Sequence, residues 1–131
     1  MRVLDASVVL ELLLQTPVMA PLAEEILLSP ADLHAPHLAD VEVSQVLRRL
    51  ASRLEITERR ARDALQDLRD LPMVRHSHEL LLERAWELRA NLTIYDGVYV
   101  ALAELLEAPL LTRDRRLANA PGHRAEIELL E

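Results

Sequence analysis

The chain has 131 residues, the size of one domain, and folding at that length buries roughly two-thirds of the surface, enough for one core. Apolar residues make up 50% of it and charged residues 28%, with a net charge of −7, a composition that excludes a disordered segment. Cysteine is absent, every one of the 15 basic residues is arginine, and Trp86, Tyr95 and Tyr99 are the only aromatics; disulfides, thiol and lysine-amine chemistry, and a sheet that reads stacked bases are excluded.

The N-terminal apolar run is short and is broken by Asp5 and Glu11, with no basic region beyond Arg2 and no small-residue cleavage site. The expectation is a cytoplasmic protein with neither signal peptide nor membrane span. Segment 2–5 suits a buried strand ending in an acid, and 6–14 turns helical. Pro17 and Pro21 bracket a restart, 22–28 continues as a second helix, and Ser29-Pro30-Ala31-Asp32 reads as a turn. Leu33–Ala35 is a short strand closed by Pro36. A strong helix follows over 37–54, with Leu38, Val46 and Leu50 on one face and Val43 and Leu47 beside it. Thr57 is an N-cap for a helix over 58–70, and Pro72 ends it before a strand at Met73–Arg75. Ser77 caps a helix over 78–90, another runs over 96–107, and 109–112 forms a fourth strand. A short helix near 114–119 and a last strand over 126–130 complete the chain.

Short apolar strands alternating with helices predict an α/β fold. The expected architecture is a single-domain three-layer sandwich over residues 1–131, with a short, mainly parallel sheet flanked by helices. Gly97 and Gly122 are the only glycines, so no glycine-rich phosphate cradle exists.

Four of the 22 acids occupy unusual positions. Asp5 ends the first strand, where open α/β sheets bind ligands, although it equally suits the cap of the next helix. Glu42 shares the stripe of Leu38 and Val46, where a carboxylate is costly unless an arginine, water or a metal satisfies it. Asp96 reads as the N-cap of its helix, accepting from the Val98 or Tyr99 amide with Tyr95 and Val100 as a hydrophobic staple. Asp114 follows the strand PLLT and suits the cap of a short helix. If the strands of 2–5 and 109–112 are neighbours, all four converge at one end of the sheet. Such a cluster repels itself, and a hard cation with oxygen ligands, Mg²⁺ or Mn²⁺, is the natural counter-charge.

The stretches VLDASVVLELL, HAPHLADVEVSQVLRRL, LTIYDGVYVALAE and LLTRDRRLA together resemble the PIN-domain endoribonucleases, and most of all the VapC toxins of bacterial toxin–antitoxin pairs. The resemblance spans about residues 2–119 and places the family's acidic quartet on Asp5, Glu42, Asp96 and Asp114. It implies Mg²⁺- or Mn²⁺-dependent cleavage of RNA. Asp5, Asp96 and Asp114 would be ligands, Glu42 would ligate or orient the attacking water, and Ser7 and Thr112 would fix the carboxylates. It further implies a homodimer and a small antitoxin that blocks the acidic site.

An acidic chain repels phosphate, yet residues 48–75 carry eight arginines against five acids. Arg48, Arg49, Arg53, Arg59, Arg60 and Arg62 are candidates for an RNA-gripping arm, or else for a solvated hairpin with pairs such as Glu55–Arg59 and Glu58–Arg62. Arg113, Arg115 and Arg116 around Asp114 are further phosphate contacts. The leucines at 10, 12, 13, 14, 27 and 28 suit helix packing or a protein partner.

Receiver-type phosphoacceptors and haloacid-type phosphatases also place an aspartate at a strand end, but both commonly rely on a lysine. His34-x-x-His37 and His76-x-His78 lack a third ligand for zinc, and the histidines read as loop residues. Tyr95 and Tyr99 read as core or cap, and Trp86 as a core anchor with Leu81 and Leu82. Two other functions remain open on sequence: an RNA-maturation nuclease without an antitoxin, and a non-catalytic module that binds RNA or protein.

Overall fold

The computed structural model describes residues 1–28 and 32–131. Among these residues five strands form one sheet: β1 (Arg2–Leu4), β2 (Leu33–Pro36), β3 (Met73–His76), β4 (Leu110–Thr112) and β5 (Ile127–Leu129). Their order is β3-β2-β1-β4-β5, and every pairing is parallel. The helices are α1 (Ala6–Leu14), α2 (Ala20–Leu28), α3 (Leu38–Ser52), α4 (Glu58–Asp70), α5 (Leu82–Glu87), α6 (Ile94–Leu106) and α7 (Arg115–Ala118), with a 3₁₀ turn over Pro17–Met19. The expected α/β sandwich is therefore present, and the sheet is parallel throughout.

The connections decide where a ligand fits. From β1 the chain steps outward to β2 and β3, then crosses back over the sheet to β4 and on to β5. Right-handed crossovers put α1 to α4 on one face and α5 to α7 on the other. The loops leaving β1 and β4, neighbours in the middle of the sheet, therefore diverge to opposite faces and open a crevice at the carboxyl ends of these strands.

The core lies along these central strands. Val3, Leu4, Leu110 and Leu111 are fully buried, each contributing roughly 1.5–3 kcal/mol of apolar transfer. Helix α6 is apolar on nearly all sides, from Val98 to Ala103, which fits an element packed on β1, β2 and β4 on one side and on α5 on the other. Gly97 lets α5 come close: a Cβ there would stand 3.0 Å from Ala85 Cβ and 3.1 Å from Ala85 Cα.

Several local expectations are corrected. The helix expected over 78–90 is a turn followed by the short α5, although Ser77 Oγ does accept from the Glu79 amide. Trp86 is no core anchor. It is 60% exposed, with the Arg89 guanidinium stacked 4.5 Å above its ring, because Ala85 and Leu88 supply the buried face here. His34 and His76 are strand residues, not loop residues, and their rings meet at 2.8 Å between Nδ1 and Nε2. Leu10, Leu12 and Leu14 pack partly buried against the core and Leu13 is buried; the side chains of Leu27 and Leu28, and the turn expected at 29–31, lie outside the described residues. No single helix among the described residues is long and apolar enough to cross a membrane.

Candidate active site

Asp5 follows β1 and caps α1, so its capping and site roles coincide. Its Oδ1 accepts from the Val8 amide at 3.1 Å and from the Ser7 hydroxyl, and Oδ2 accepts from the Thr112 hydroxyl at the end of β4. Ser7 Oγ in turn accepts from the Arg113 amide, and Thr112 Oγ1 from the Asp114 amide, each at 3.0 Å. The hydroxyls thus lock the ends of β1 and β4 together around one buried carboxylate. Burial pushes Asp5 above the ordinary carboxylate range, and these hydrogen bonds oppose that rise.

Glu42 enters from α3. The helix turns Ala39, Val43 and Leu47 into the core, so the stripe of Leu38, Glu42 and Val46 lies at the edge of the buried face. It borders a cavity of about 480 Å³ that Ser7, Leu10, Val41, Arg49 and Tyr95 also line. Among the described residues no arginine pairs with Glu42. The phenol of Tyr99, itself buried, donates to Oε1 at 2.6 Å. Burial raises the proton affinity of Glu42, and the nearby charges of Asp96 and Asp5 raise it further, while the Tyr99 hydrogen bond works against both. Tyr99 is pushed well above the usual phenol range by its burial and by Glu42, so it stays a hydrogen-bond donor.

Asp96 lies in the first turn of α6, but it is not the cap. Thr93 Oγ1 accepts from the Asp96 amide at 3.1 Å, which leaves the Asp96 carboxylate free of that duty. The expected staple is absent as well, since Tyr95 is 63% exposed. Asp96 and Tyr99 are three residues apart on one helix face, so α6 presents its carboxylate and its phenol to the same crevice. This spacing is readable as Y-D-x-x-Y, and Tyr99 is the site residue that core assignment concealed.

Asp114 caps α7, its Oδ1 accepting from the amides of Arg116 at 2.9 Å and Leu117 at 3.3 Å. Arg116 Nη2 then reaches Asp96 Oδ2 at 3.0 Å and Asp114 Oδ2 at 3.4 Å. The two other arginines around Asp114 are held elsewhere, Arg113 by Glu11 at 2.9 Å and Arg115 by Glu131. Glu42 and Asp5 make no salt bridge among the described residues. The donor set is therefore carboxylate-rich, oxygen-only and short of positive charge, which suits a hard divalent ion. Among the described residues no three potential ligands are already gathered around one point; Arg116 bridges two of the acids, and hydrogen bonds occupy both oxygens of Asp5.

The arginines of 48–62 divide in role. Arg49 borders the cavity beside Glu42, and Arg48, Arg53 and Arg59 are exposed. Arg62 makes the Glu58 pair at 3.5 Å, whereas no Glu55–Arg59 salt bridge forms among the described residues. Arg60 is turned inward and donates to the Leu13 carbonyl at 2.9 Å, closing the end of α1. Arg75 is equally structural, pairing with Asp40 at 3.1 Å and donating to the Leu68, Leu71 and Met73 carbonyls. Its position after Pro72 gave no hint of this.

A family model described as the PIN domain matches residues 2–122. Ribonuclease VapC12 of Mycobacterium tuberculosis is 42% identical over 130 residues, 99% of each chain. Ribonuclease VapC1 of the same organism is 51% identical over 98 residues, 74% of each. Among solved structures, VapBC2 from Rickettsia felis bound to a promoter DNA fragment superposes with a TM-score of 0.71 at 12% identity, covering 99% of this chain and 98% of that one. A toxin–antitoxin complex from Klebsiella pneumoniae gives 0.68 at 20% identity, with coverage of 100% and 98%. At such identities the structural matches speak for the fold alone.

Proposed function

The chain belongs to the PIN-domain family, and from that premise we propose that residues 1–131 act as one nuclease domain: the toxin of a toxin–antitoxin pair, cleaving RNA with Mg²⁺ or Mn²⁺ at the crevice between β1 and β4. The observation that carries this reading is that Glu42 on α3 feels the charges of Asp96 on α6 and Asp5 after β1, which with burial raise its proton affinity, while Arg116 links Asp96 to Asp114 at the β4–α7 junction. Full-length ribonuclease VapC relatives supply the reaction class, and the toxin–antitoxin complexes among the structural neighbours suggest the partner.

Asp5, Asp96 and Asp114 would hold the ion. When bound, it would lower the pKa of water and stabilise the charge that builds on the phosphate and leaving oxygen. The chain's own residues perform the rest. Ser7, Thr112 and the Val8 amide fix the Asp5 carboxylate against rotation. Tyr99 fixes Glu42 through Oε1 and leaves Oε2 to orient the attacking water and accept its proton. A proton affinity raised from the ordinary glutamate value brings that base closer to neutral pH, where a general base works best. Hydrolysis would leave a 3′-hydroxyl and a 5′-phosphate.

RNA would be gripped through its phosphates by Arg48, Arg49, Arg53, Arg59 and Arg62, with Arg113, Arg115 and Arg116 at the rim of the crevice. The antitoxin would block the acidic site with a basic side chain, and two copies would form a homodimer. The test is cleavage of a mixed RNA pool with Mg²⁺ or Mn²⁺. Loss of cleavage in EDTA and in a folded Asp96→Asn protein supports the reading; full activity in either sinks it.

A further inference from the structure

We propose that Arg116 is an internal, displaceable counter-ion: it holds Asp96 and Asp114 in the metal-free protein, and a divalent cation must expel it to bind them. The inference rests on the metal reading above but adds a competitor encoded in the chain itself.

Three observations carry it. Arg116 Nη2 lies within 3.0 Å of Asp96 Oδ2 and 3.4 Å of Asp114 Oδ2, so one nitrogen bridges two of the acids assigned to the ion. No other arginine makes a salt bridge with any of the four site acids among the described residues, since Arg113 pairs with Glu11 and Arg115 with Glu131. The Arg116 side chain is 68% exposed and its main chain is pinned, through its amide, to Asp114 Oδ1. The guanidinium can therefore swing into water without disturbing α7.

Electrostatics gives the bridge its purpose. Asp96 and Asp114 come from different elements, α6 and the β4–α7 junction, and repel one another when both are ionised. A guanidinium between them relieves this and holds the two elements in register before an ion arrives. The same contact places positive charge at the ion's position, so the two cations exclude each other. Each exposed ion pair that must be broken is worth at most about fivefold in affinity. Two such pairs, one of them long, set the competition at about fivefold overall. The exposure of Arg116 makes it salt-dependent, because exposed pairs are screened within roughly 10 Å at 0.1 M ionic strength.

The test is Mn²⁺ binding to the full chain, followed by titration calorimetry at low ionic strength, with no RNA present. Arg116→Ala is expected to bind Mn²⁺ about fivefold more tightly than the unaltered chain and to melt at a lower temperature in EDTA. Arg116→Lys, which keeps the charge, should stay near the unaltered affinity. Arg89→Ala, whose guanidinium stacks on Trp86 and pairs with none of the site acids, should leave Mn²⁺ affinity unchanged. The gap between Arg116→Ala and the unaltered chain should close as NaCl is raised, a response that a merely structural role would not give. Arg116→Gln, which retains a polar side chain, repeats the measurement if the alanine variant folds poorly. Equal or weaker Mn²⁺ binding by folded Arg116→Ala and Arg116→Gln overturns the inference while leaving the metal reading intact. Absence of Mn²⁺ binding by every variant overturns both.

Discussion

Tyr99→Phe removes one oxygen from the buried wall of the site and no apolar volume. That oxygen donates to Glu42 Oε1 at 2.6 Å. A hydrogen bond to a charged group is worth about 1.5–3 kcal/mol, and one to a neutral group about 0.5–1.5 kcal/mol. Glu42 is half-buried, so water compensates in part, and the expected loss is about 1–2 kcal/mol with Glu42 ionised. With Glu42 protonated the loss falls by about 1 kcal/mol, so the variant raises the Glu42 pKa further. The direction follows from linkage. Burial has already raised the Glu42 pKa above 4.5, so ionising Glu42 opposes folding; stability is fully present below 4.5 and is lost as pH rises through the folded value. Tyr99→Phe extends that loss to higher pH. Urea unfolding in EDTA, at pH 8 and at a pH below the acid limb of the rate profile, measures the first effect. The acid limb of kcat/KM against pH measures the second and should move upward. Equal destabilisation at both pH values with an unmoved acid limb would show that Tyr99 does not serve the ionised Glu42.

Asp5→Asn should abolish cleavage and retain the fold, since the amide oxygen still accepts from the Val8 amide and the Ser7 hydroxyl; circular dichroism and an RNA assay together decide this, and an active variant would refute the assignment. Gly97→Ala should cost up to about 2 kcal/mol although alanine favours helix, because the new Cβ meets the Ala85 backbone as well as its side chain and α5 must shift; an unchanged melting temperature would contradict it. Glu104, buried on α6, is pushed up by burial but held below the ordinary range by Arg84 at 2.7 Å. Arg84→Met should therefore cost about 1.5–3 kcal/mol by removing the guanidinium and leaving the Arg124 amide, at 3.4 Å, as the remaining donor to Glu104, and Arg84→Met with Glu104→Met should recover most of it; equal stability of the single and double variants refutes the pairing. His76 is lowered by burial and by His34 and His37, so protonation favours the unfolded chain and stability is lost as pH falls below about 6.5. His76→Gln should flatten the denaturation midpoint between pH 7.5 and 5.5, and an identical slope would remove His76 as its source.

Much of the architecture was legible because it rests on local rules. Asp5, Thr57 and Asp114 cap their helices as their side chains and positions demand, and the apolar runs at 2–4, 33–36, 73–76 and 110–112 fall in strands within a residue of their expected bounds. The four acids were also visible as residues out of place. What each side chain meets was not legible, because such contacts join residues far apart in sequence and depend on strand order. The 3.6-residue period could not decide whether Glu42 faced the core or its rim, and it assigned Trp86 to a core that Ala85 and Leu88 already fill. Asp96 was misread as a cap because Thr93, three residues earlier, does that work.

The sequence alone determined the chemical inventory: carboxylates and arginines without lysine or cysteine, on alternating strands and helices whose periodicity and caps are local properties. Tertiary structure decided the partnerships. Pairing β1 with β4 put Asp5 beside Thr112, crossing back over the sheet brought Tyr99 to Glu42, and the short reach of α7 laid Arg116 between Asp96 and Asp114. The physical reason is range. Backbone propensity acts over a few residues, whereas the proton affinity of a carboxylate depends on charges and burial within several ångströms in space, from whatever part of the chain they come.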